Sequence, residues 1–213
     1  MRLDILSDPI CPWCFIGKKR LEDAMTQRPN HPFEIQWHPF QLNPEMPPEG
    51  MDRREYLESK FGGKRGAIDV YSDIAKHAEE AGLELDFGAI ERTPNTLNAH
   101  RLIHWSGFES KQYDTVDALF RAYFMEGRDI GDAEILADIA DGQGMDAAAI
   151  LKMLKSDLDL EGIKERDAEA RKMGVNSVPT FIVAGQHAVP GAQSAELWMN
   201  VIDEYTGSDA PLQ

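Results

Sequence analysis

Cysteine is scarce: Cys11 and Cys14 are the only two in 213 residues. That scarcity excludes a disulfide-stapled scaffold and a cysteine-rich zinc site. Positive charge is also short, with 22 Lys+Arg against 37 Asp+Glu and a net charge of −15. Such a chain lacks the electrostatic footprint of a duplex-nucleic-acid or anionic-membrane binder. Long apolar runs are missing, so no segment reads as a membrane span. Charge appears at once in Met1-Arg2-Leu3-Asp4, which does not read as a secretory leader. There is no internal repeat, no phosphate-binding glycine loop and no recognisable Ser-His-Asp pattern. The expectation is a cytoplasmic protein with neither nucleic acid nor membrane as partner. Its 42% hydrophobic content is enough to bury a core without staples.

What is present begins with an α/β pattern. Residues 2–7 alternate as a short strand, and Asp8-Pro9 breaks it. A helix is expected from Cys11, with Pro12 at the first helical position, where a missing N–H costs nothing. Cys14, Gly17, Leu21, Ala24 and Met25 share its apolar face. Phe33 to His38 alternates again, with Phe33, Ile35 and Trp37 facing inward. A right-handed crossover would make these two strands parallel neighbours.

Residues 41–50 hold Pro44, Pro47, Pro48 and Gly50 and read as a linker. About a hundred residues of helical periodicity follow. Ile68, Tyr71, Ile74 and Ala78 make one stripe, and Val116, Leu119, Phe120 and Tyr123 another. Thr93-Pro94-Asn95 reads as a helix start, as do Asp132 and Asp146. A helix over about 157–173 stops at Gly174. Thr180 to Val183 and His187 to Val189 read as a hairpin about Ala184-Gly185-Gln186, and Ser194 is placed to cap a last helix. The pattern predicts a discontinuous α/β domain, residues 1–42 and 157–213, interrupted by an inserted α-helical domain over 43–156.

A C-x-x-C after a strand and at a helix start reads as a redox pair. A bridge across four residues would close almost no loop, so a structural role explains it poorly. Free N–H groups and the helix dipole favour a thiolate at Cys11, and a thiolate is the attacking species in disulfide exchange. Cys11 is therefore expected to be exposed and to attack. Cys14, on the apolar face, is expected to be buried and to resolve the mixed disulfide. Pro12 and Trp13 between them supply no charge and are expected to tune the pair. Half a zinc site is the competing reading, and it needs two further ligands. Pro179, after Val178, sits awkwardly before a strand. A cis bond there would turn the chain and leave the Val178 backbone open to an extended substrate.

Asp8-Pro9-Ile10-Cys11-Pro12-Trp13-Cys14, Asn95 to Leu102, Gly174 to Phe181 and Gly191-Ala192-Gln193 together resemble the DsbA family of thiol-disulfide oxidoreductases, in its cytoplasmic FrnE-like branch. The resemblance covers essentially the whole chain. It implies a thioredoxin fold with an inserted helical domain, and Pro179 cis and facing the cysteines. It implies protein or small thiols as substrates, no bound cofactor, and glutathione as a possible redox partner or cosubstrate. Kappa-class glutathione transferases and 2-hydroxychromene-2-carboxylate isomerases belong to the same superfamily, with a serine typical at the Cys11 position. Such a glutathione-dependent isomerase or transferase is one alternative, and a non-catalytic peptide-binding module is another. Val178 and Thr180 are expected to bind substrate. Ser194 is expected either to help there, at a helix N-terminus, or simply to cap the helix.

Weaker signals complete the reading. His100 and His104 are four apart on a helix but lack the H-E-x-x-H glutamate, so no metal site is expected. Asp4 and Asp8 flank the first strand, where either is placed to tune proton transfer or to serve a turn. Phe120, Tyr123 and Phe124 read as core.

Overall fold

The computed structural model describes residues 1–207. Strand β1 (Arg2–Ser7) leads into helix α1 (Pro12–Gln27) and strand β2 (Glu34–Pro39). A loop through the proline-rich stretch reaches β3 (Met51–Asp52), α2 (Arg53–Lys60) and α3 (Lys64–Glu80). Then come β4 (Arg92–Thr93), α4 (Leu97–Phe108), α5 (Gln112–Phe124), α6 (Ala133–Gly142) and α7 (Ala147–Leu154). The chain returns through α8 (Leu160–Lys172), β5 (Thr180–Val183), β6 (His187–Pro190) and α9 (Ala195–Thr206).

Strands from the two ends of the chain form one sheet in the order β2-β1-β5-β6. β1 runs parallel to β2, as a crossover through α1 requires, and antiparallel to β5. Leu3 and Ile5 lie beside Ile35 and Trp37 on one side and Val183 and Phe181 on the other. Both are fully buried, because β1 is central and its inward positions meet neighbours on each edge. The β5–β6 turn uses positive φ at Ala184 (54°) and Gly185 (70°), matching the twist of a tight hairpin.

The core is one continuous cluster from the sheet into the helices. Trp198 of α9 packs on Phe181, with ring centroids 4.7 Å apart. Phe15 of α1 stacks on Phe120 of α5 at 5.0 Å. Phe120, Tyr123 and Phe124 are buried. Buried Lys18 adds a polar tie, pairing Glu22 at 2.5 Å and Asp117 of α5 at 2.7 Å. The first helix is thereby fixed against sheet and helical block alike.

Three local readings shift. Met51–Asp52 and Arg92–Thr93 pair as a short antiparallel ribbon, too brief for a period-two signal. That pairing holds Thr93, so α4 starts later, where Asn95 Oδ1 accepts from the Leu97 N–H at 2.9 Å. Helix α8 begins at Leu160 rather than 157, because Asp159 takes a left-handed conformation with φ 59°.

Arg101 of α4 is fully buried and donates to the carbonyls of Met153, Leu154, Ser156 and Leu158. It thus satisfies orphan carbonyls at the end of α7 and in the turn to α8. Arg101→Met should destabilise the fold by about 2–3 kcal/mol, since several buried carbonyls lose their donor. A urea titration checks this, and an unchanged midpoint would show the turn holds without the guanidinium.

Candidate active site at the start of the first helix

Cys11 is the N-cap of α1, with φ −89° and ψ 112°, and no side chain caps the helix. Its N–H donates to the Asp8 carbonyl at 2.9 Å, and its own carbonyl accepts from Cys14 N at 3.0 Å. Pro12 follows at the first helical position. Both cysteines are free thiols. Cys14 is buried as its place on the apolar stripe requires. Burial, then a hydrogen bond to Cys11 and the charge of Cys11, hold the Cys14 thiol well above its ordinary ionisation range; contacts with Ser7 and the Asp8 backbone pull the other way.

Cys11 departs from expectation, because it is only 3% exposed. A helix end alone would leave it open. Here α2, α3 and the 176–178 loop close over it, around a cavity of about 280 Å³ that Cys11 and Trp13 line. Four larger hollows, about 800, 680, 540 and 330 Å³, contain no cysteine. Trp13 leans on His77 of α3, with ring centroids 5.2 Å apart.

The Val178–Pro179 peptide bond is cis. The Cys11 thiol donates to the Val178 carbonyl at 3.6 Å, so that carbonyl is already engaged. Val178 lines the cavity. A glycine permits this approach: a Cβ at Gly17 would lie 3.1 Å from Pro179 Cγ and 3.4 Å from the Phe181 ring. Thr180 and Ser194 lie outside the cavity lining. Thr180 Oγ1 donates to the Ser177 carbonyl at 2.8 Å, and Ser194 Oγ accepts from Leu197 N at 3.2 Å as the cap of α9.

The two flanking aspartates separate sharply. Asp4 points to a different hollow, where Oδ1 accepts from Arg2 at 2.7 Å and meets His38 Nε2 at 2.6 Å. Asp8, three residues before Cys11, is fully buried. Its carboxylate accepts from Leu42 N at 2.6 Å and Ile10 N at 3.3 Å. Burial pushes its pKa up from 3.8 to about 7, against the lowering effect of those N–H donors, Thr96 and the Lys60 charge. His100 Nε2 lies 3.9 Å from Asp8 Oδ1 and has no hydrogen-bond partner. Burial lowers its pKa from 6.5 to about 4, with Asp167 acting weakly the other way. The distance alone suggests an ion pair. Desolvation of both groups instead favours a neutral acid beside a neutral imidazole at mildly acidic pH. His104 is elsewhere, 3.0 Å from Arg166, so the two histidines do not converge.

The residues that sequence reasoning missed come from the helical block. Arg53, Tyr56, Lys60, Tyr71 and Tyr123 all reach the Cys11 cavity. Arg53 and Lys60 sit in a charge-rich stretch that reads as an ordinary solvated face, and nothing local marks them as facing a thiol.

The family model described as "DSBA-like thioredoxin domain" matches residues 2–203. A probable DsbA oxidoreductase from Streptomyces coelicolor superposes with a TM-score of 0.85 at 28% identity, covering 100% of this chain and 93% of that one. A 2-hydroxychromene-2-carboxylate isomerase superposes with a TM-score of 0.72 at 18% identity, covering 99% and 100%. The cytosolic disulfide reductase DsbM from Pseudomonas aeruginosa, solved with GSH, gives 0.68 at 15% identity, covering 97% and 100%. The last two likenesses concern the fold. The architecture is a thioredoxin fold with helices inserted between β2 and α8. No helix among the described residues is long and apolar enough to cross a membrane.

Proposed function

This chain belongs to the family of DSBA-like thioredoxin domains, and on that premise we propose that it exchanges disulfides through Cys11 and Cys14. The observation that carries the reading is the asymmetry of the pair. One sulfur opens into a cavity, and the other is buried and held protonated behind it.

Cys11, as thiolate, attacks a substrate disulfide; a Cys11–substrate bond forms, and the other half leaves as a thiolate that takes a proton from water. Before capture, Cys11 helps keep Cys14 protonated through a hydrogen bond and its charge. Once Cys11 is bonded to substrate, its charge is gone and the Cys14 proton is easier to remove. Cys14 then attacks the Cys11 sulfur, closing the Cys11–Cys14 bridge and releasing the second substrate thiol. The order of events follows from electrostatics: the resolving thiol ionises after capture, not before. Read backwards, the same steps reduce the bridge. Pro12 and Trp13 shape the thiol's surroundings without adding charge, and Pro179 packs against α1 through Gly17. The substrates are protein or small thiols and disulfides, with glutathione as a candidate partner. The setting is cytoplasmic, a reading supported by fold likeness to a cytosolic reductase.

Glutathione-dependent isomerisation is the second reading, favoured by fold likeness to the isomerase. It gives the buried Cys14 thiol no task, so it ranks below exchange.

The pair should equilibrate reversibly with a thiol buffer. Incubation across a series of reduced-to-oxidised glutathione ratios, followed by acid quench and mass measurement, should show a two-proton mass difference that titrates with the ratio. A pair that stays fully reduced or fully oxidised across the series, in both directions of approach, would sink the proposal.

A further inference from the structure

Among the described residues, the charged ones lining the Cys11 cavity are Arg53 and Lys60, both positive, in a chain of net charge −15. Arg53 is 6% exposed. Its Nη1 donates to Tyr123 Oη at 3.0 Å, and its guanidinium lies over the rings of Tyr71 and Tyr123, at 5.1 and 5.8 Å. Buried Nη2 has no hydrogen-bond partner, and Arg53 makes no ion pair among the described residues. Lys60 at the rim bonds Asn43 and Tyr56, neither of them a carboxylate. A buried charge is normally paired, because desolvation is costly and uncompensated here. Aromatic faces offset part of that cost and do not neutralise it.

We propose that this cavity seats small thiols and disulfides bearing a carboxylate, with the carboxylate on Arg53 and the sulfur at Cys11. The inference rests on the disulfide-exchange reading above and names its substrate class. Size points the same way: about 280 Å³ lies just below the range of small-ligand pockets. A polypeptide disulfide would need an open groove, whereas Cys11 lies beneath α2 and α3. The guanidinium suits a carboxylate by charge and by its planar fork of donors. Exchange then proceeds as before, with R–S–S–R and two protein thiols giving two R–SH and the Cys11–Cys14 bridge.

The test uses Cys14→Ser protein, in which the mixed disulfide at Cys11 cannot resolve, with mass spectrometry to time its formation. The probes are 3,3′-dithiodipropionate (anionic), bis(2-hydroxyethyl) disulfide (neutral) and cystamine (cationic). The anionic probe should react about tenfold or more faster than the neutral one, and the cationic probe slowest. Adding Arg53→Gln should collapse the anionic-to-neutral ratio to about one, while Arg53→Lys should keep much of it. The preference should also shrink with added salt in the unaltered Arg53 background, a readout that needs no Arg53 variant to fold. Equal rates for anionic and neutral probes, or a ratio untouched by Arg53→Gln, would overturn the anion seat and leave exchange standing. Reaction of Cys11 with none of the three would instead overturn the exchange reading and this proposal with it.

Discussion

A Cys11→Ser variant should lose disulfide exchange by about a thousandfold or more. A serine hydroxyl neither ionises near neutral pH nor forms a bridge with Cys14, so both halves of the cycle stop. Cys14→Ser should behave differently. It keeps capture and loses resolution, so one equivalent of mixed disulfide should accumulate at Cys11. The contrast follows from position. Cys11 lines the cavity, while Cys14 is buried on the inner face of α1 with its thiol held protonated. Turnover of a small disulfide, read beside peptide mapping of the trapped adduct, checks both variants. If Cys11→Ser kept exchange within about tenfold of the parent, or the adduct mapped to Cys14, the assignment of roles would fail.

The second large effect is on stability against pH, from Asp8 and His100. Asp8 titrates near 7 when folded, far above its ordinary 3.8. Between those values the folded state binds the extra proton, so its contribution favours folding at low pH and is lost as pH rises through about 7. His100 titrates near 4 when folded, below its ordinary 6.5. There the unfolded state binds the extra proton, so stability is present above about 6.5 and is lost as pH falls toward 4. At about 1.4 kcal/mol per pKa unit, the two swings are about 4 and 3 kcal/mol, opposite in sign over nearly the same window. In the parent they largely cancel. Asp8→Asn should unmask the histidine, giving a protein that weakens as pH falls from about 6.5 to 4. His100→Gln should unmask the aspartate, giving one that strengthens over that window. Urea midpoints at half-unit pH steps, taken relative to the parent, measure both slopes. Slopes of the same sign in the two variants would refute the independent titration of a neutral pair.

Much of the fold was legible because its signals are local. Residues 2–7 and 33–38 alternate, Pro12 and Gly174 punctuate helices, and Asp132, Asp146 and Ser194 cap where they should. The ribbon of Met51–Asp52 with Arg92–Thr93 was not legible, since two-residue strands carry no period. Within the site, the Cys11/Cys14 pair and Pro179 were legible from spacing and context. The exposure of Cys11 was misjudged for a physical reason. A helix N-terminus is open by default, and only elements distant in sequence can close it. Here α2 and α3 do so, some 40 to 60 residues downstream.

The sequence by itself determined the placement of the pair: two cysteines three apart at a helix start, one of them on the apolar stripe. Spacing along one helix is a local property, so no further information was needed. The tertiary structure decided what surrounds the two thiols. It buried Asp8 against His100, moved Asp4 to another hollow, and spent the Ser194 hydroxyl on a cap. It also brought the unpaired Arg53 to the thiol's cavity. Burial and long-range contact set those outcomes, because desolvation depends on everything that surrounds a group rather than on its neighbours in the chain.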